Sequence, residues 1–167
     1  MHSTDQGGVN AADQSGKGTD AIMTARQAAM AVLSRADSDD LQDLWQAWAD
    51  KPDFEVLRGP ETGLVMLRGR IGGGGASFNV GEATVTRATV RLEDGTIGHS
   101  YALGRDQEKA RLAALFDALW LNEGNRDAVQ SQVLAVLSKK HDAADAKARN
   151  QAAATKVDFF TMVRGDN

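Results

Sequence analysis

The chain of 167 residues contains no cysteine, only two prolines and 5% aromatic residues. Without cysteine there is no disulfide, no thiolate metal ligand and no thiol nucleophile. No apolar run approaches the length of a membrane span, and the N-terminus lacks the charged-then-apolar pattern of a signal peptide. The formal net charge of −4 argues against general nucleic-acid binding. Catalytic signatures are missing too: no His-Glu-x-x-His, no nucleophile elbow and no carboxylate pair at catalytic spacing. His2, His99 and His141 are scattered, and mid-strand His99 reads as a hydrogen-bonded structural residue. These absences fit a cytoplasmic protein with no metal site and no self-contained catalytic centre.

What is present is most telling at the far end. After a polar, Ala-rich stretch, Val157, Phe159, Phe160, Met162 and Val163 arrive together, followed by Arg164. A terminus is normally polar and frayed unless something ties it down. Leaving each phenyl ring in water forgoes about 1.5–3 kcal/mol. Residues 151–167 therefore read as a tail that docks on a partner, extended and by strand addition.

The remainder divides into a polar leader, 1–22, expected to be disordered, and one α+β domain, 23–150. Helical periodicity begins at Thr24. A second helix, capped by Asp37 or Ser38, carries the stripe Leu41, Leu44, Trp45 and Trp48. An antiparallel sheet of about four strands follows: 54–58, then a Gly59-Pro60 turn, 63–70, a glycine-rich connection over 71–81, 82–93, an Asp94-Gly95 hairpin, and 96–103. Asp106 is the expected cap of a helix with Leu112, Leu115, Phe116 and Leu119 inside. A last helix from Arg126 has the stripe Val129, Val133, Val136 and Leu137.

The run Gly72-Gly73-Gly74-Gly75 lacks the Gly-Lys-Ser/Thr of a phosphate loop and the spacing of a dinucleotide loop. Its amides could still cradle an anion, or the glycines could serve a close backbone crossing. Between Arg58 and Arg105 lie six arginines, four acids and no lysine. Arginine's planar fork suits phosphate and carboxylate. Strand alternation groups Arg68 with Arg70, and Arg87 with Arg91. If the two faces coincide, these four and the amides of Gly73 and Gly75 form candidate anion contacts. Interface ion pairs, or simply a solvated sheet face, are the competing readings. Glu61 and Glu82 are the acids beside the glycine segments, and Glu82 could instead cap loop amides.

Four segments carry a resemblance over residues 24–167. They are Gly59-Pro-Glu-Thr-Gly-Leu-Val-Met-Leu-Arg-Gly-Arg-Ile-Gly-Gly-Gly-Gly, Phe78-Asn-Val-Gly-Glu-Ala-Thr-Val-Thr-Arg-Ala-Thr-Val-Arg-Leu, Gly104-Arg-Asp106 and the tail from Val157. Together they resemble PhnG, the G subunit of the bacterial carbon–phosphorus lyase system. One departure is Gly74, where that family usually has Thr or Ser. The resemblance implies a complex with H, I and J subunits, two copies of each, associated with the K and L ATPase subunits. It implies that G, H, I and L together transfer the ribose triphosphate of ATP to methylphosphonate and release adenine. It places the iron–sulfur cluster and S-adenosylmethionine on the J subunit, leaves this chain without a cofactor of its own, and names no established catalyst in it.

Overall fold

The computed structural model describes residues 11–154. Helices α1 (Ala11–Arg35) and α2 (Ser38–Ala47) precede strands β1 (Phe54–Arg70), β2 (Ser77–Leu92) and β3 (Ile97–Leu103). Helix α3 (Gln107–Leu121) follows. Then α4 (Arg126–Ala128), a π-helical turn (Val129–Leu134) and α5 (Ala135–Ala154) run on continuously. The sheet is antiparallel in the order β1-β2-β3. The α+β expectation holds, with three strands in place of about four.

The missing strand boundary has a local cause. Gly59 and Pro60, read from sequence as a turn, lie inside a continuous β1. The register against β2 shifts between Val56 and Arg58, and again between Arg58 and Glu61. β1 is an edge strand, so a proline without an N–H is accommodated at a bulge instead of ending the strand. The glycine connection is also shorter than 71–81. A single 3-10 turn, Ile71–Gly73, reverses the chain and β2 resumes at Ser77.

Helix α3 is the centre of the molecule. Every residue from Leu112 to Trp120 is buried, as expected for a helix sandwiched between a sheet and other helices. Asp106 caps it as foreseen, accepting the Lys109 amide at 2.8 Å. Its small residues allow a close approach to the sheet: a Cβ on Gly98 of β3 would sit 2.1 Å from the Ala114 carbonyl oxygen and 2.3 Å from the Ala118 nitrogen. Thr86, Ala88, Val90 and Leu92 turn the inner face of β2 toward this helix. Trp45 and Trp48 meet Phe116 edge-on, with centroids 6.1 and 6.0 Å away. Lys51 closes α2 by donating to the Gln46 and Trp48 carbonyls.

Two expectations shift. The π-helical turn inserts an extra residue into the period. Leu134 is therefore buried beside Val129, Val133 and Leu137, while Val136 faces outward. At the other end, α1 begins at Ala11, inside the polar 1–22 segment. From Gly18 to Ala25 it is wholly exposed and supplies nothing to the core.

Candidate functional site

The register separates the four candidate arginines. Leu64 lies opposite Thr84 and Thr62 opposite Thr86, so Leu64, Met66, Arg68 and Arg70 continue the helix-facing side of the sheet. Arg87 and Arg91 lie opposite Glu61 and Glu55, on the other side. Arg68 pairs with Asn79, eight residues from Arg87, or about 25 Å along the strand. The two pairs of arginines therefore share neither a face nor an end of the sheet.

Their partners differ as well. Arg91 Nη2 lies 2.6 Å from Glu55 Oε2. Glu61 Oε2 accepts from Arg58 Nε at 3.0 Å and from Arg87 Nη2 at 3.1 Å. The Arg58 and Arg87 guanidinium groups hold the Glu61 carboxyl below its ordinary value. On this face the arginines are ion-paired within the chain. Arg68 and Arg70 are exposed and have no hydrogen-bond or ion-pair partner among the described residues.

The glycines close the tip between them. Gly72 adopts φ +60°, and a Cβ on Gly75 would lie 2.9 Å from the Ile71 carbonyl oxygen. Gly75 donates to that oxygen at 3.2 Å. Gly73 is the last residue of the turn, and Gly74 has open space where a Cβ would be.

The hairpin that carries this tip is an exposed feature of the surface. β3 ends at Leu103, opposite Val85. Beyond it, residues 64–70 of β1 and 77–84 of β2 have only each other as strand partners. This two-stranded arm exposes apolar side chains on both sides, alongside Arg68, Arg70 and Glu82 on the face of Leu64 and Met66. Leu64 and Met66, on one face, are 63% and 60% exposed. Leu67 and Phe78, on the other, are 46% and 45% exposed, and Ile71 at the tip is 76% exposed. Two strands alone are marginal in water, and exposed apolar patches of this kind mark interaction surfaces.

The arm is anchored to the domain by a polar chain. Thr62 donates to the Thr86 hydroxyl at 3.0 Å, and Thr86, 1% exposed, donates to the Gly104 carbonyl at 2.8 Å. The Gly104 amide returns to the Thr84 carbonyl at 2.9 Å. His99 has the structural role expected of it, with Nδ1 3.1 Å from Thr89 Oγ1. Glu82 lies on the arm opposite Met66, away from the glycine turn. No group of three or more His, Asp or Glu side chains able to hold a metal is found among the described residues.

Sequence periodicity gave no role to Asp117. It is buried within α3, where its carboxylate receives Arg26 of α1 and the His99 amide of edge strand β3. An acid inside the apolar run from Leu112 to Trp120 was the available signal. For the arm, the signal was the alternation of Phe78, Asn79 and Val80 inside a stretch read as loop.

Residues 24–165 match the sequence model of the family described as phosphonate metabolism protein PhnG. The chain belongs to the PhnG family. A curated relative from Rhizobium meliloti (strain 1021), the alpha-D-ribose 1-methylphosphonate 5-triphosphate synthase subunit PhnG, is 52% identical over 151 residues. The alignment covers 89% of this chain and 94% of that protein. The PhnG resemblance seen in the sequence is thereby established. Its Thr84-Val-Thr-Arg87 block supplies the buried hydroxyl of Thr86 and the Arg87 bridge to Glu61. The tail residues Val157, Phe159, Phe160, Met162, Val163 and Arg164 lie outside the described residues.

Proposed function

We propose that this chain is a mainly structural, partner-binding subunit of alpha-D-ribose 1-methylphosphonate 5-triphosphate synthase within the carbon–phosphorus lyase core complex. The synthase name of the 52% identical relative carries this reading. The exposed arm supports it physically, because an apolar two-stranded projection suits a subunit better than a free-standing enzyme. In the reaction, the C1–N bond between ribose and adenine in ATP breaks and adenine departs with the bonding pair. A methylphosphonate oxygen forms the new bond to C1.

In this proposal the H, I and L subunits act with this chain in that transfer. The core holds two copies each of this chain, H, I and J, with K and L associated. The iron–sulfur cluster and S-adenosylmethionine belong to J, and this chain binds no cofactor. The complex works in the cytoplasm. No described helix is long and apolar enough to cross a membrane, which is compatible with that location. The tail at 157–167 is a second docking element.

Co-expression with the candidate partner subunits, with and without residues 157–167, tests the assignment. Full-length chain co-purifies with them, and truncation weakens or abolishes this. Failure of the full-length chain to co-purify would refute the assignment.

A second reading has Arg68 and Arg70 contacting the triphosphate or phosphonate directly, joined by the amide of Gly73; the Gly75 amide, the other sequence candidate, is already donated to the Ile71 carbonyl. The absence of any partner for these two arginines among the described residues favours it over a role for Arg87 and Arg91, which are paired. Arg68→Gln with Arg70→Gln separates the readings. Direct contact predicts that assembly survives while turnover collapses; the partner-binding reading predicts that assembly itself weakens.

A further inference from the structure

We infer that the hairpin arm formed by residues 64–70 and 77–84 is a plug that enters an acidic cleft between surfaces of a partner protein. This rests on the subunit reading above and names the surface that reading needs. The two-sidedness of the arm decides its shape. A hairpin lying on a flat partner hides one face and keeps the other polar. Here Leu64 and Met66 are exposed on one face, and Leu67 and Phe78 on the other. Only a cleft, or two partner surfaces, covers both.

The backbone makes the same demand. β3 stops opposite Val85, so β2 from Ser77 to Ala83 has a strand on one side only, and β1 is an edge throughout. Natural proteins blunt such edges with charge, proline or a covering element. In the proximal sheet these devices are present. Pro60 sits at a bulge of β1, and the Asp117 carboxylate accepts the outward His99 amide of β3 at 2.8 Å. The distal half has no proline and no covering element; its devices are the register shift at Leu67 and Arg68 and the charges of Arg68, Arg70 and Glu82. In place of a cover, its edges end in a wall that the partner supplies.

Charge complementarity identifies that wall. The proximal arginines Arg58, Arg87 and Arg91 each have a glutamate of this chain. Arg68 and Arg70, near the tip, have none, and the arm's sole acid, Glu82, is opposite Met66 toward its base. A chain with net charge −4 thus presents a cationic tip. Carboxylates of the partner complete the two guanidinium groups as Glu61 and Glu55 complete the others.

Site-specific photocrosslinking in the co-expressed full-length complex tests this. A benzophenone amino acid is placed at Met66 on one face, at Phe78 on the other, and at the exposed control position Gln132. Crosslinks from both Met66 and Phe78 to a synthase subunit, with none from Gln132, are expected. Crosslinks from one face only would overturn the cleft. Crosslinks solely to a second copy of this chain would replace the partner. No crosslink in a complex that still assembles would show that the arm is not buried there, leaving the subunit assignment intact. No complex at all would remove both. As a second measurement, Arg68→Glu with Arg70→Glu lowers recovery of the complex at least tenfold while the isolated chain keeps its circular dichroism. Normal recovery with lost turnover would point to a phosphorylated substrate at the tip and overturn the acidic wall.

Discussion

Arg26 and Asp117 form a two-point ion pair, Nε to Oδ1 at 3.0 Å and Nη2 to Oδ2 at 2.7 Å, that joins α1 to α3. The Arg26 side chain is 29% exposed, whereas that of Asp117 is 1% exposed and also receives the His99 amide. The hydrogen bond to Asp117, more than the charge itself, raises the already high pKa of Arg26. The pair holds a helix on the helix-covered side of the sheet and closes one point on the β3 edge.

Removal of Arg26 strands a buried carboxylate. Arg26→Met is expected to cost about 3 kcal/mol, the low end for breaking a buried pair because Arg26 is partly solvated. Urea unfolding followed by circular dichroism measures it. A change below about 0.5 kcal/mol would mean that the pair does not hold α1.

Among the described glycines, Gly98 has the least room for a side chain. Gly98→Ala forces a methyl group into the backbone of Ala114 and Ala118 and is expected to cost about 3 kcal/mol, at the upper end for overpacking. Gly63→Ala meets open space and should change the melting temperature little. Thermal denaturation of the two variants side by side checks the contrast.

The Thr86 hydroxyl is predicted to matter more than that of Thr62. Thr86→Val leaves the Gly104 carbonyl without its 2.8 Å donor in a buried setting, at a cost of about 1–3 kcal/mol. Thr62 is exposed, and water replaces its hydroxyl in Thr62→Val. Equal losses in the two variants would contradict the polar chain described here.

Acid should weaken the sheet face through Glu61. Its folded pKa lies below the ordinary 4.5, through hydrogen bonds from Arg58 and then Arg87. The stabilisation is therefore fully present above about pH 4.5 and is lost as pH falls through the lower folded value. Asp94 acts in the same direction, held down by the Thr96 amide and then the Asn122 side chain. Stability measured from pH 6 to pH 3 should fall less steeply in Glu61→Gln than in the parent chain. Identical slopes would show that the Glu61 bridges contribute nothing in solution.

Sequence was most readable where one local rule governs. Asp94-Gly95 forms its turn, with Gly95 at φ +88°; Asp106 caps α3; and Leu112, Leu115, Phe116 and Leu119 are buried. It was least readable where two rules compete. Gly59-Pro60 is a turn signal by composition, but an edge strand absorbs it as a bulge. Val136 fits a helical stripe, but the π-helical turn rotates it outward. The pairing of Arg58, Arg87 and Arg91 with Glu61 and Glu55 depends on cross-strand register, which alternation within single strands does not reveal. The arm was hidden for a related reason: its exposure follows from where β3 stops.

Adenine release tests the central claim most directly. The isolated chain, mixed with ATP and methylphosphonate, should release none above background, and release should appear when the partner subunits of the synthase are added. Release by the isolated chain at a rate near that of the assembled complex would contradict a partner-binding role and place the chemistry in this chain.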